Sequence, residues 1–583
     1  MTRKGTLATI LLACIATWLH AQEPLTQSSA SVYIWADKYH YRPGDSLSLR
    51  WSVKANGDSN QYSLVAYRQN NQTGQRFYLP AGTEEVTDIF GNAPGSFRVQ
   101  SAVDTEATRQ VLLGEGGLLG GAVTIPEQYG MHTLVFQFRD PSGNRVVKSA
   151  YFKFSVVRGE RIVVDSNITR DTTWTRDRHY HISGTILVRD GATLTIEPGT
   201  IITGEPGSQP PSVLVVSTDG RIVADGTRSR PIIFTSAQPF GQRRPQDWGG
   251  IIMLGLAPIN VQGGTSQIEG LTPSPETIFG GTRANHDCGI MRYVRIEYAG
   301  SILGANNEVN GLTTGGCGTR TVIDHVQVHL GLDDAFEFFG GTHDAKYIVA
   351  SYMIDDGIDL DFGYNGRIQH AVVLAGPATT GTNNGAEIDG NGNQPNNQPY
   401  TEPRWYNVTM VGNDSSASNQ NETDVAGIYI RRGTGGHYRN TLIYNWRQAA
   451  LSTSSNAAQG FATLEPRIAS GNLSVDGLLM WENGNGRSND LEGQVLDRMR
   501  PLLTNTNASK RVAYSDPMLR RPFDFSDPDF RALAASLVRG AMWIAPPDDG
   551  FFDQWANYIG AFGDFDWTEE WTSFLLDEDI RNN

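Results

Sequence analysis

A chain of 583 residues, 39% of them hydrophobic, can bury a sizeable core and is too long for one small domain. Its net charge of −15 argues against nucleic acid as a partner, because affinity for phosphate backbones comes from clustered Lys and Arg. Glycine reaches 64 residues without a collagen-type period, and charged residues are 19% against a usual figure of about 25%, which points to turn-rich β structure. Only seven of the 47 basic residues are Lys, and none falls between Lys346 and Lys510.

Residues 1–21 read as an export signal: Arg3 and Lys4 precede an apolar run from Leu7 to Leu19, and Ala21 suits cleavage. Leu11-Leu12-Ala13-Cys14 loosely matches a lipoprotein signal, which gives a second export route. No later run is long and apolar enough for a transmembrane helix, so the mature chain is expected to be secreted, on the outer cell surface or in the periplasm. In an exported chain, Cys288 and Cys317 are expected to form a disulfide if the β-rich runs after them stack as neighbouring rungs.

Residues 29–157 alternate apolar and polar positions in short runs, such as Ser31-Val-Tyr-Ile-Trp35 and Thr133-Leu-Val-Phe-Gln-Phe138. Turn signals at Arg42-Pro-Gly-Asp45, Ala93-Pro-Gly95 and Asp140-Pro-Ser-Gly143 separate them, which predicts a β-sandwich. The stretch resembles bacterial immunoglobulin-like modules, notably at Asp37-Lys-Tyr-His-Tyr-Arg-Pro-Gly-Asp45.

From about residue 176 short Val/Ile/Tyr runs recur between Gly, Asn and Asp. Asp333-Asp-Ala-Phe-Glu337 returns as Asp355-Asp-Gly-Ile-Asp359, with looser copies at Asn306-Asn-Glu-Val-Asn310 and Asn383-Asn-Gly-Ala-Glu387. Spacings of 27, 22 and 28 residues suit the coils of a parallel β-helix over 170–545, and are too short for propeller blades of about 40 residues. Residues 546–583 are expected to cap it.

Gly191-Ala-Thr-Leu-Thr-Ile-Glu-Pro-Gly-Thr-Ile-Ile202, Trp248-Gly-Gly-Ile-Ile252, Met291-Arg-Tyr-Val-Arg-Ile-Glu-Tyr298 and Trp567-Thr-Glu-Glu-Trp571 resemble a family of secreted bacterial right-handed parallel β-helix proteins, many from the Bacteroidetes. That resemblance implies fold and export, with no settled activity. The Asp355-Asp-Gly-Ile-Asp359 turn also resembles the calcium turn of a β-helical pectate lyase family, where an acid of the preceding coil completes the site; Asp333 or Asp334 would take that role.

Stacking the repeats predicts three columns: Asn306, Asp333, Asp355, Asn383; Asn307, Asp334, Asp356, Asn384; and Asn310, Glu337, Asp359, Glu387, with Asp361 and Asp389 two residues on. Carboxylates one rung, about 4.8 Å, apart repel by about 3.5 kcal/mol per pair at an effective dielectric near 20. Asp333, Asp334, Glu337, Asp355, Asp356 and Asp359 are therefore expected to bind Ca²⁺, which takes six to eight oxygen ligands. The alternatives are a ladder of side chains capping backbone N–H groups, or neutralisation by Arg.

Three functions remain open. The leading expectation is a carbohydrate-interacting or adhesive protein, with Trp405, Tyr429 and Trp446 stacking on sugar unless they pack in the coil interior. A polysaccharide lyase would need a base; with no Lys near the acidic turn, Arg431 and Arg432 are the candidates, beside Asp361 and Asp389. Laying Gly427-Ile-Tyr-Ile430 over Gly385-Ala-Glu-Ile388 puts Arg431 opposite Asp389, which favours a salt bridge. A glycoside hydrolase would use paired carboxylates, but nothing singles out a pair. The third possibility is a structural rod.

Overall fold

The computed structural model describes residues 146–576, apart from 305–306, 377–382, 393, 414–424, 485–494, 496, 505–510 and 541. Within 30–145 it describes the strands and a few flanking residues. The expected signal segment 1–21, with Cys14, and Asn306 lie outside the described residues.

From Ile162 the chain winds into a parallel β-helix. One sheet runs from Ile162–Val164 through Gly289–Glu297, Val322–His329, Asp344–Ser351, Arg367–Leu374, Arg404–Val411 and Gly436–Tyr444 to Leu473–Trp481 and Val512–Tyr514. A second has nine strands, from Thr185–Val188 through Leu312–Gly315, Phe336–Phe339, Ile358–Asp361 and Ala386–Ile388 to Ala426–Ile430 and Ala449–Ser452. In the early coils a third face is made by separate short strands. Arg221–Asp225 and Ile232–Ser236 both pair with the single strand Gly289–Glu297, so from that coil on one long strand serves two faces.

A left-handed residue turns that corner. Tyr293, His325, Tyr347, His370, Asn407 and Asn440 occupy the same place in successive long strands with φ between 48° and 58°. This region is costly for residues other than Gly, and repeating it on every coil lets the strands stay in register. The outward-facing rings stack: Tyr293 on His325 at 4.2 Å, His325 on Tyr347 at 4.3 Å and Tyr347 on His370 at 4.6 Å.

Alternation along each short strand fills the interior. Phe336 and Phe338, Ile358 and Leu360, Ala386 and Ile388, and Ile428 and Ile430 point into one continuous core. Each fully buried Ile, Leu or Phe contributes about 1.5–3 kcal/mol. Cys288 and Cys317 precede adjacent strands and are bonded, with Cα atoms 5.8 Å apart and both side chains fully buried.

The N-terminal residues form two mainly antiparallel sheets, one of Ala30–Ala36, Leu49–Ala55 and Ala107–Arg109, the other built on Ser63–Asn70, Gly130–Arg139 and Val146–Val156. This is the two-sheet arrangement that the alternating runs predict. The module docks on the first coils: Tyr39 Oη donates to Glu297 Oε2 at 3.1 Å, and Asn71 Nδ2 donates to the Ser229 carbonyl at 2.6 Å.

The C-terminal segment departs from the expected cap. Val495, Met499 and Leu502 continue the core at the last coils, while residues from about 544 to 576 run back along the outside of the long sheet as a strap. Polar side chains at and near the corner hold its backbone. Asn440 Nδ2 donates to the Ile544 carbonyl at 2.8 Å, Asn407 Nδ2 to the Tyr558 carbonyl at 2.7 Å, and Gln327 Nε2 to the Ser573 carbonyl at 2.7 Å. Trp567 and Trp571 cover the ring stack at His325. At its far end Glu570 lies 3.7 Å from Lys153 Nζ of the N-terminal module.

Asp553 is the strap's main anchor. It accepts from Lys346 Nζ at 2.7 Å, Tyr347 Oη at 2.6 Å and His370 Nε2 at 3.2 Å. Removing it strands a lysine and a buried imidazole, so Asp553→Ala is expected to cost about 2–4 kcal/mol. Chemical denaturation should register that loss, while the exposed Asp548→Ala stays within about 0.5 kcal/mol of the wild type.

Candidate functional site

The acidic residues meet on the turn before the nine-stranded sheet and on that sheet's outer surface. Strand pairing sets their columns. Thr313, Glu337, Asp359, Glu387 and Tyr429 are in register, and Phe339 pairs with Asp361 in the next outward column. Asn310 is not above Glu337 as the spacing predicted; it stands above Asp334, 24 residues earlier. The reason is an inserted hairpin, Ser301–Gly304 with Asn307–Val309, which lengthens the loop and takes Asn307 out of the column to pair with Gly304.

The corrected second column is a backbone-capping ladder. Asn310 Oδ1 accepts from the Asp334 N–H at 3.1 Å, Asp334 Oδ1 from Asp356 N–H at 2.8 Å, Asp356 Oδ1 from Asn384 N–H at 2.7 Å, and Asn384 Oδ1 from Ala426 N–H at 2.9 Å. Each side chain thereby satisfies a turn amide of the next coil. The glycine that follows also has a packing reason. A Cβ on Gly357 would lie 2.6 Å from the Gly385 carbonyl, and one on Gly385 2.5 Å from the Gly427 carbonyl. Much of the Asp-Asp-Gly pattern is thus dictated by rung stacking.

That leaves oxygens without such duties. Three overlapping triads, Asp333/Asp334/Asp355, Asp334/Glu337/Asp359 and Asp356/Asp359/Glu387, each bring one carboxylate oxygen per residue within 4.8 Å of the others. Asp359 Oδ1 is buried with no hydrogen-bond partner. Two further acids come from insertions between the rungs, Glu269 on one and Glu308 on the 301–309 hairpin. Glu269, on the insertion between Gly255 and Phe279, bonds Glu337 and Asn310, and Glu308 adds its charge. No spacing signal marked Glu269, and Glu308 stood in the loose copy at 306–310 without being picked out as a site residue.

Burial and like charge push these carboxyls up. Glu269 is raised to about 7 and Asp333 to about 8, desolvation first and neighbouring acids second. Asp334, Glu337, Asp356, Asp359, Asp361 and Glu387 are raised well above the ordinary range for the same reasons, and Asp355 is raised chiefly by burial.

Among the described residues, compensating charge enters at one end. Arg431 pairs with Asp389 through Nε at 2.7 Å and with Glu387, and Arg432 pairs with Asp389. The Arg431–Asp389 pair is the one that the overlay of 427–430 on 385–388 predicted. As proposed bases both arginines are compromised: each is held by carboxylates, and the Arg431 guanidinium is pushed further toward its charged form by Glu387 and Asp389. Lys346 is bound to the strap on another face.

The aromatic candidates are corrected. Trp405 is fully buried in register with Ile368 and Tyr438, and its Nε1 donates to Thr441 Oγ1 at 3.1 Å. Trp446 is 2% exposed and also belongs to the core. Both rings face inward, so neither offers a surface to a sugar. Tyr429 faces outward beside Glu387 but is 6% exposed, with Arg431 5.4 Å above its ring. His325 and His370 belong to the ring stack under the strap, His329 bonds the Leu575 carbonyl, and His343 is buried.

The raised carboxyls make stability depend on pH. Each stabilises the fold fully below its unfolded pKa of about 4 and loses that contribution as pH rises through its folded value. Without divalent cations, thermal melting should therefore fall steadily between about pH 4 and 8. Asp359→Asn should flatten the slope in the same melts.

A family model described as a pectate-lyase-like beta helix domain matches residues 166–509, more than half of the chain. No curated protein matches it.

Proposed function

This chain belongs to the pectate-lyase-like β-helix family, and from that premise we propose that it is an exported, carbohydrate-interacting protein whose acidic column holds Ca²⁺. The observation that carries the reading is the buried, partnerless Asp359 Oδ1 at the overlap of two carboxylate triads. Ionised oxygens cannot be left there unpaired without cost, and a hard cation with oxygen ligands removes both the desolvation and the repulsion. Asp333, Asp334, Glu337, Asp355, Asp356, Asp359 and Glu387 would supply the ligands. Arg431 and Arg432 neutralise Asp389, which belongs to none of the three triads, and Arg431 also reaches Glu387 at the edge of the third. Bound Ca²⁺ would supply positive charge toward the carboxylate of an acidic sugar.

Binding is favoured over cleavage because, among the described residues, no free base adjoins the acids: Arg431 and Arg432 are ion-paired and Lys346 is elsewhere. The buried disulfide supports an oxidising, extracytoplasmic location.

At a hundredfold excess over its Kd, Ca²⁺ should stabilise the protein by about 2.7 kcal/mol. Chelator should reverse the gain, and Asp359→Asn should abolish it. Melting unchanged by Ca²⁺ and chelator across that range would remove the metal from the reading. Release of new polymer ends from acidic polysaccharides, lost in Arg431→Ala, would replace the binding role by a lyase role.

A further inference from the structure

A second concave site lies beside the long sheet, away from the nine-stranded sheet that carries the acidic column, where the N-terminal module meets the first coils. The cleft encloses about 600 Å³ between 38–42 of the module and Thr203, His179 and 236–240 of the β-helix. That volume falls within the range of about 300–1,000 Å³ typical of small-ligand sites, which favour domain junctions. We propose that this cleft binds an anionic sugar residue, with its acid group on Arg161 and its hydroxyls on the paired imidazoles of His40 and His179.

The charge is opposite to that of the molecule as a whole. Lys38, Arg42 and Arg161 line the cleft against one carboxylate, Asp45. Asp45 is taken by Lys38 at 2.8 Å, and Arg42 bridges Glu160 at 2.5 Å. Arg161 is exposed and has no ion pair among the described residues. It is the cation left for a ligand.

The imidazoles provide neutral hydrogen-bonding groups. Their rings stack at 3.7 Å and 11°. His40 Nε2 lies 3.0 Å from the Ile201 carbonyl, an acceptor only, so that nitrogen carries the proton and Nδ1 is left to accept. His179 Nε2 lies 2.8 Å from Thr203 Oγ1, which also meets His181 Nδ1 at 3.0 Å. Burial holds both lining rings neutral, pushing His40 down to about 4 and His179 to about 2. Pro239 and Phe240 add an apolar wall for the C–H face of a pyranose. One fixed cation, neutral donors and acceptors, and an apolar side match an acidic sugar better than a neutral sugar or a bare inorganic anion.

The test uses the full chain in chelator, which keeps the acidic column free of Ca²⁺ and separates this site from the reading above. Calorimetric titration with uronic-acid oligosaccharides, sulfated oligosaccharides and a neutral oligosaccharide should show binding of an acidic ligand and not of the neutral one. The tighter of the two acidic ligands identifies which acid the cleft takes. Arg161→Glu, an exposed position, should raise that Kd at least tenfold with an unchanged melt, and Asp359→Asn should leave it unaltered. Absence of acidic-sugar binding by the wild type in chelator, or equal binding by Arg161→Glu, would overturn the proposal.

Discussion

Parallel pairing between coils places each side chain directly over its equivalent one rung away, about 4.8 Å distant. Everything else in this molecule follows from how a column of like residues behaves at that spacing. Apolar columns gain contact area with every coil and build the continuous interior from Phe336, Ile358, Ala386 and Ile428. Asn and Asp columns on turns gain one backbone hydrogen bond per coil, as in the series Asn310, Asp334, Asp356, Asn384. Carboxylates facing outward gain nothing and accumulate repulsion, so the Glu337, Asp359, Glu387 column is where the fold requires protons, arginines or a cation.

The same stacking explains how the ends communicate. Corner residues in the left-handed region recur on each coil: Tyr293, His325, Tyr347 and His370 align their rings, and Asn407 and Asn440 present amides, with Gln327 and Gln369 close by. The strap reads those amides with its own backbone and returns to the N-terminal module, where Arg228 and Lys153 meet Glu569 and Glu570. Module, coils and strap therefore share one junction, and the cleft beside His40 and His179 is shaped on two sides by elements distant in sequence.

Much of the fold was legible because repetition is a local signal. The short Val/Ile runs marked the rungs, the similar contexts of Cys288 and Cys317 marked adjacent strands, and the overlay of 427–430 on 385–388 placed Arg431 against Asp389. Legibility failed wherever an insertion interrupted the count. The 301–309 hairpin moved Asn310 by one column, and Glu269 reached the acids from a segment outside the repeat. Trp405 was misassigned although the alternation held its position: it pairs with Ile368, an interior residue.

By itself the sequence determined the β-helix, the acidic turn and its repulsion, because residue type and period specify stacked columns without reference to distant segments. Only the tertiary structure decided which oxygens are already spent capping amides and which remain free, since that depends on register to a single residue. It alone placed the strap along the flank and opened the cleft at the module junction, because those contacts join residues more than 100 positions apart, where no periodic signal exists.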